Sequence, residues 1–300
     1  SLLIHCHSTL NLRVFLCRRY DMKITQFDDL SSALTNDGTL SLMTIGAGSA
    51  FARSLNQNNI LLVKGDDHLM IDCGTRLSQA LHQYHLPISQ VKNFLITHSH
   101  ADHVGGLEEV QLCGRYVTGQ KPSMIINETY QKILWEQSLR GGSEMSEAIP
   151  LTFTDLWHCI RPTLLDDHPR ETWEANVGGL NVRMPRTMHY PDSARSWEDS
   201  FWSCGLIVDQ RILFTSDTRF DPDLVCGLDA IYDFEVIFHD CQLFTGGIHA
   251  SLAELMTLPA PIRAKTILMH YGDNWRDFEA EALQAGFHSW AQEGTCYQFD

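Results

Sequence analysis

Three imidazoles and a carboxylate crowd the stretch Thr97-His98-Ser99-His100-Ala101-Asp102-His103-Val104-Gly105-Gly106, directly after an apolar run that ends at Ile96. Side chains two apart in an extended segment point the same way, so a strand reaching Thr97 can deliver His98 and His100 to one side. Asp102 and His103 then arrive from the following turn, close enough to hold a second ion. Nitrogen and oxygen donors at this density suit zinc or a similar borderline divalent cation, and two adjacent ions are a recognised device for hydrolysis. A His-rich surface turn is the competing reading, but such a turn rarely supplies H-x-H-x-D-H followed by Gly-Gly behind a strand.

Three later segments place a metal-binding side chain at the end of an extended run. They are Met184-Pro185-Arg186-Thr187-Met188-His189, Ile212-Leu213-Phe214-Thr215-Ser216-Asp217 and Thr266-Ile267-Leu268-Met269-His270. Taken singly, each is more often a hydrogen-bonded polar residue at a strand terminus. Taken with the first cluster, they supply the number and type of donors that two ions need.

Composition bounds the chemistry. Three hundred residues with 44% hydrophobic and 20% charged content are ordinary for a globular chain and can bury a sizeable core. A formal net charge of -15 opposes long nucleic acid as a habitual partner, because a polyphosphate backbone is gripped by basic faces. A small anionic substrate stays compatible, since bound divalent ions reverse the local sign of a site. Nine cysteines without a C-x-x-C read as reduced, intracellular thiols, with Cys73 and Cys241 as small buried hydrophobes. No run approaches the roughly 18 apolar residues of a membrane span. The opening 20 residues lack the layout of an export signal. The expectation is a cytoplasmic protein with no membrane partner. Residues 1–38 are expected to form an extension of uncertain order, the first 21 of them preceding a start-like Met22, ahead of a domain over 39–300 with a helical insert around 107–175.

The elements that must position the site come from hydrophobic patterning. Short apolar runs broken by Gly and Asp turns predict strands over 39–45, 60–63, 68–72 and 92–97, and again over 205–208, 211–215, 236–239 and 266–270. Helical spacing of apolar residues covers 75–84, 128–139, 252–258 and 275–285. Gly141 to Ala148 carries no apolar period and reads as a loop. Two strand-rich halves with interspersed helices, and no internal repeat, point to a layered α/β sandwich. Gly46-Ala47-Gly48-Ser49 lacks the third glycine of a dinucleotide fingerprint and the Gly-Lys-Ser/Thr of a phosphate loop, so it reads as a turn packed near the active site.

With H-x-H-x-D-H, a later His, a later Asp and a final His in that order, residues 39–272 resemble the metallo-beta-lactamase superfamily. Within it the chain is most similar to the ribonuclease Z branch. Ser216-Asp217-Thr218-Arg219 is like that branch's S-G-D-T-R pattern without the Gly, Phe238-His239-Asp240-Cys241 is like its His-Glu-Ala-Thr element, and His249-Ala250-Ser251 is like its His-Ser-Thr element. The resemblance implies a four-layer αββα sandwich, an α/β fold, with one ion held by His98, His100 and His189, a second by Asp102, His103 and His270, and Asp217 bridging. It implies two divalent ions, zinc first and manganese or iron as substitutes, and a homodimer. Asp240 and His249 match the carboxylate and histidine linked to proton donation, with Asp in place of Glu shortening the arm. A structural carboxylate and a residue at a helix start are the alternatives for that pair. Asp102, Asp240 and His249 are thus the residues expected to take part in the chemistry. Asp72 reads either as a turn aspartate or as a carboxylate orienting a ligating imidazole through its other ring nitrogen.

Only 27 residues separate His189 from Asp217, which leaves no room for the long arm by which processing ribonucleases of this branch grip transfer RNA. The resemblance therefore favours relatives that hydrolyse small phosphodiesters, notably cyclic-nucleotide phosphodiesterases, including phage and bacterial enzymes that degrade cyclic pyrimidine mononucleotides. The expected activity is hydrolysis of a 3′,5′-cyclic mononucleotide by hydroxide generated between two cations. Trp173, Trp197 and Trp202 are candidates for the substrate wall, although aromatics in such a region are more often core or dimer contacts. A ribonuclease Z-like RNA nuclease, a lactonase or thioesterase on the same fold, and a non-catalytic binder are the competing readings.

Overall fold

The computed structural model describes residues 22–300. Its strands form two sheets of eight. The first contains β1 (Lys23–Gln26), β2 (Leu40–Gly46), β3 (Asn59–Lys64), β4 (Asp67–Ile71), β5 (Asn93–Leu95), β6 (Ser123–Ile125) and β7 (His158–Ile160), with β16 (Thr295–Phe299) returning between β1 and β2. The second contains β8 (Thr163–Leu164), β9 (Thr172–Val177), β10 (Leu180–Pro185), β11 (Leu206–Val208), β12 (Ile212–Phe214), β13 (Val236–Asp240), β14 (Thr266–Met269) and β15 (Ser289–Trp290), side by side in reverse order. The segments expected to be strands are strands. Residues 1–21 of the expected extension lie outside the described residues. Of the remainder, β1 pairs with β16 and Leu30 is buried.

The layers follow from which face of each strand is apolar. Along β3, Ile60 and Leu62 join a core shared with Val182, Leu206 and Phe214 of the second sheet. Leu61 and Val63, pointing the opposite way, join a core under α1 (Leu77–Gln83), α3 (Leu107–Cys113) and α4 (Glu128–Leu134). Helical segments carrying Leu228, Leu255, Ile262 and Ala282 pack on the second sheet. The result is the four-layer sandwich expected. Strands with both faces covered need apolar residues throughout, and β13 and β14 are buried along their whole length.

Each sheet has an antiparallel half and a parallel half. β4, β5, β6 and β7 run parallel in one, and β12, β13, β14 and β15 in the other. Loops leaving the C-terminal ends of parallel strands are the usual place for a binding crevice. Here the two sheets bring those ends to the same edge.

The expected helical insert around 107–175 is not wholly helical, since β6, β7, β8 and the start of β9 fall within it and extend the two sheets. Instead of a loop throughout 141–148, residues Arg140–Ser143 form α5, continuous with the turn at Trp135–Leu139. Ser143 is buried and accepts a hydrogen bond from Gln111 Nε2, while Gln111 Oε1 accepts one from Trp157 Nε1 at 2.7 Å. A buried polar chain therefore anchors a segment that has no apolar period to betray it.

The glycines closing the histidine motif are required by packing. A Cβ on Gly106 would lie 2.7 Å from the Gly74 carbonyl oxygen and 2.9 Å from Cys73 Sγ, inside van der Waals contact with the turn that follows β4. The Gly106 amide also donates to the Cys73 carbonyl at 2.8 Å. Gly106→Ala should therefore destabilise the fold by about 1–3 kcal/mol, the range for overpacking a tight contact. A urea midpoint equal to that of the parent protein would show that this contact yields without strain.

Candidate active site

Several of the chemically suggestive side chains sit just past the end of a strand. β4 ends at Ile71 and β14 at Met269, and the next residues, Asp72 and His270, take left-handed backbone with φ 63° and 59°. Ser216, just before Asp217, does the same at φ 53°. Left-handed backbone costs non-glycine residues on the order of 1 kcal/mol or more, and such strain gathers at functional sites. The glycine absent before Asp217 finds its explanation here, since Ser216 occupies a conformation that glycine adopts freely. β5 ends at Leu95, two residues short of the expected strand, because the Thr97 amide donates to Asp72 Oδ1 at 2.8 Å instead of to a neighbouring strand. His98 and His100 consequently leave from a loop, and α2 (Ala101–Val104) carries Asp102 and His103.

Seven side chains from both sheets converge into two groups that could each hold a metal ion: His98, His100, His189 and Asp217, and Asp102, His103, Asp217 and His270. In the first, His98 Nε2 and His189 Nε2 lie 3.0 and 3.1 Å from His100 Nδ1. In the second, His103 Nε2 is 3.2 Å from both Asp102 Oδ2 and Asp217 Oδ2, and His270 Nε2 is 3.4 Å from the same two oxygens. Asp217 Oδ2 belongs to both groups. It also lies 3.7 Å from His98 Nε2 and 3.9 Å from His189 Nε2. Asp217 Oδ1 is buried with no hydrogen-bond partner, a state a carboxylate rarely keeps unless a cation compensates it. The donor set thus fits two divalent ions around one shared carboxylate.

Partners behind the imidazoles decide which nitrogen faces the centre. His189 Nδ1 donates to the Ile248 carbonyl at 2.9 Å, which leaves the Nε2 lone pair free. His103 Nδ1 lies 2.7 Å from Asp72 Oδ2, and His270 Nδ1 lies 3.2 Å from Asp240 Oδ1. His98 Nδ1 reaches Thr97 Oγ1 at 3.1 Å, and that hydroxyl donates in turn to Asp72. Asp72, wholly buried, therefore orients two imidazoles at once, as one of the two expectations for it held. Thr97 is a link that sequence reasoning missed, although its place between a strand and His98 was the available signal.

The two groups differ in charge. Burial pushes His98 well below the ordinary imidazole pKa and His189 to about 3, so their lone pairs are available. Burial would also lower His103 and His270, but Asp217 with Asp72, Asp102 and Asp240 outweighs it and raises both well above the ordinary value. A cation entering the second group must displace protons from it.

Asp240 and His249, together with Asp217 and His270, form a third group whose donors could also hold an ion. Asp240 Oδ2 lies 2.8 Å from His249 Nδ1 and accepts the Thr218 amide at 3.0 Å, while its other oxygen faces His270. Burial opposes protonation of His249, yet Asp240 and Asp217 outweigh it and its pKa is raised. With Nδ1 on Asp240, the nitrogen left to meet a ligand is Nε2. The turn at Gly46–Gly48 does pack against this edge, the His270 amide donating to the Ala47 carbonyl at 2.8 Å.

Two of the three candidate tryptophans take the core role, while Trp197 is half-buried on the segment after His189. Trp202 is buried, stacked on Tyr130 at 5.5 Å with Arg186 over its other ring surroundings at 4.7 Å, and Trp173 packs from β9 against both cores. The ring beside the histidines is Tyr190, stacked on His100 at 4.5 Å and 29°, with Phe201 behind it at 5.1 Å. Tyr190 follows His189 directly, a signal that counting indoles passed over.

The family described as Anti-Pycsar protein Apyc1 matches residues 40–297. A relative of that name from Paenibacillus harenae is 39% identical over 230 residues, covering 76% of this chain and 88% of its own. Another from Bacillus phage BSP38 is 35% identical over 268 residues, covering 86% and 98%. Among solved structures, the metallo-beta-lactamase fold protein YhfI from Bacillus subtilis superposes with a TM-score of 0.64 at 13% identity, over 87% of this chain and 99% of that one. With the metallo-beta-lactamase fold in place and the relatives matched over nearly their full length, the chain belongs to the Apyc1 family of anti-Pycsar proteins.

Proposed function

We propose that this protein is a dinuclear metallohydrolase that opens a 3′,5′-cyclic mononucleotide. The observation that carries the reading is one buried carboxylate, Asp217, shared by two donor groups, with a histidine backed by a carboxylate at its edge. The family description, anti-Pycsar, agrees with removal of a cyclic-nucleotide signal. Between His189 and Asp217 the described chain holds only the segment 190–205 and the β11–β12 hairpin, so no RNA-gripping arm stands there. With this reading go zinc as the first candidate ion and the homodimer that the resemblance implies.

His98, His100 and His189 would hold one ion and Asp102, His103 and His270 the other, with Asp217 common to both. When bound, such ions supply Lewis acidity, polarising the phosphoryl oxygens and lowering the pKa of water. The remaining work falls to the chain. Asp72 and Thr97 keep His98 and His103 turned so that Nε2 faces inward. Attack of water on phosphorus forms a new P–O bond as one ester bond of the ring breaks, the departing ribose oxygen takes a proton from His249 Nε2, and the proton shed by the attacking water restores the charged imidazole. Asp240 holds the opposite nitrogen, stabilises the charged imidazole and steadies His270 with its second oxygen. Asp to Glu geometry is not needed for this, because the shorter Asp240 already reaches both histidines.

The reading is tested by offering metal-reconstituted protein a panel of 3′,5′-cyclic mononucleotides, cyclic dinucleotides, precursor transfer RNA and a lactone. Cleavage of the cyclic mononucleotides, abolished by a chelator, is expected. Turnover of the lactone or the RNA alone would overturn it.

Asp217→Ala should lower kcat/KM at least about a hundredfold, the upper range for merely supporting residues, and weaken metal retention. Full activity with full metal content would remove Asp217 from the centre. His249→Ala should keep both ions while kcat falls roughly 10²- to 10⁴-fold, the usual contribution of a positioned acid, and metal lost from this variant would mean that His249 is a ligand. Because His103 and His270 carry raised pKa values in the metal-free protein, loading should release protons and metal affinity should fall as pH decreases. Calorimetric titration in buffers of different ionisation enthalpy reads that release; identical heats in all buffers would contradict it.

A further inference from the structure

We infer that Tyr190 and Phe201 form a shelf on which the base of the nucleotide stacks, an inference that rests on the cyclic-nucleotide reading above. Tyr190 is half-buried and leans on His100, which places it at the margin of the first donor group. Phe201, 61% exposed, continues the line of rings outward. A phosphate at the donor groups would leave its nucleoside extending across these rings, two ring contacts from His100.

An exposed phenylalanine on a free loop would be poor for recognition, since ordering it would consume the contact it makes. Here the order is built in. Arg186, buried beneath the segment, donates through Nη2 to the Ser200 and Phe201 carbonyls at 3.2 and 3.3 Å and through Nε to the Ser203 carbonyl at 3.1 Å. The Phe201 amide donates to the Tyr190 carbonyl at 2.9 Å, tying the two shelf residues together. Arg219, two residues past Asp217, donates to the Ala194 carbonyl in the middle of the same segment. Two guanidinium groups thus fix the backbone of a segment whose outermost ring, Phe201, stays exposed beside Tyr190. Every base offers a π-face, so the shelf contributes affinity for a nucleoside as a class.

The test compares Phe201→Ala and Phe201→Trp with the parent on a 3′,5′-cyclic mononucleotide and on 3′,5′-cyclic ribose phosphate lacking the base, with metal content measured on each sample. Phe201→Ala should raise KM for the nucleotide about tenfold, from the energy of base-aromatic stacking, with kcat and metal content unchanged. KM for the base-free substrate should not move, and Phe201→Trp should restore nucleotide binding. Equal KM for the nucleotide in the parent and Phe201→Ala, or equal losses on both substrates, would overturn the shelf alone. A parent protein that turns over neither substrate would overturn the cyclic-nucleotide reading, and the shelf with it.

Discussion

The buried carboxylate of Asp217, with imidazole nitrogens of His98, His103, His189 and His270 within 3.9 Å of one of its oxygens, is the contact around which the two sheets are arranged. Without compensating cations, so dense a set of buried polar groups costs more free energy than its hydrogen bonds return. The fold must therefore supply that opposition from elsewhere. It does so with the apolar core between the sheets and the layer beneath α1, α3 and α4, whose strands are hydrophobic on both faces.

Positioning is shared between strain and a second ring of hydrogen bonds. Three residues at strand ends, Asp72, Ser216 and His270, take left-handed backbone and so turn their neighbours into the crevice. Asp72 and Asp240 then each serve two imidazoles, Asp72 through Thr97 and His103, Asp240 through His249 and His270. One carboxylate per pair keeps the rings in mutual register. This economy has a consequence for mutation: a change at Asp72 or Asp240 disturbs two functions together, and its effects will not separate cleanly.

Legibility in the sequence followed locality. The cluster from His98 to His103 was readable because its residues are contiguous and follow an apolar strand. His189, Asp217 and His270 were readable because a polar residue ending a buried run is a punctuation mark, and three such marks on one chain suggest convergence. The hydrophobic periods gave eight of the described strands within a residue or two, while β1, β6 to β9, β15 and β16 went unpredicted. What was not legible depended on contacts between distant segments. The early end of β5 reflects the bond from Thr97 to Asp72, and α5 reflects a buried chain through Gln111 and Ser143. Counting tryptophans passed over Tyr190, since Trp202 packs inward on Tyr130 and only the folded chain sets Tyr190 against His100.

On the proposed reading, two ions would share the Asp217 carboxylate and both would be needed for hydrolysis. Titrating metal-free protein with zinc, while following hydrolysis of a 3′,5′-cyclic mononucleotide, tests it most directly. The rate should climb until two equivalents per chain are bound and then level. Full activity at one equivalent, or hydrolysis by the metal-free protein, would contradict it.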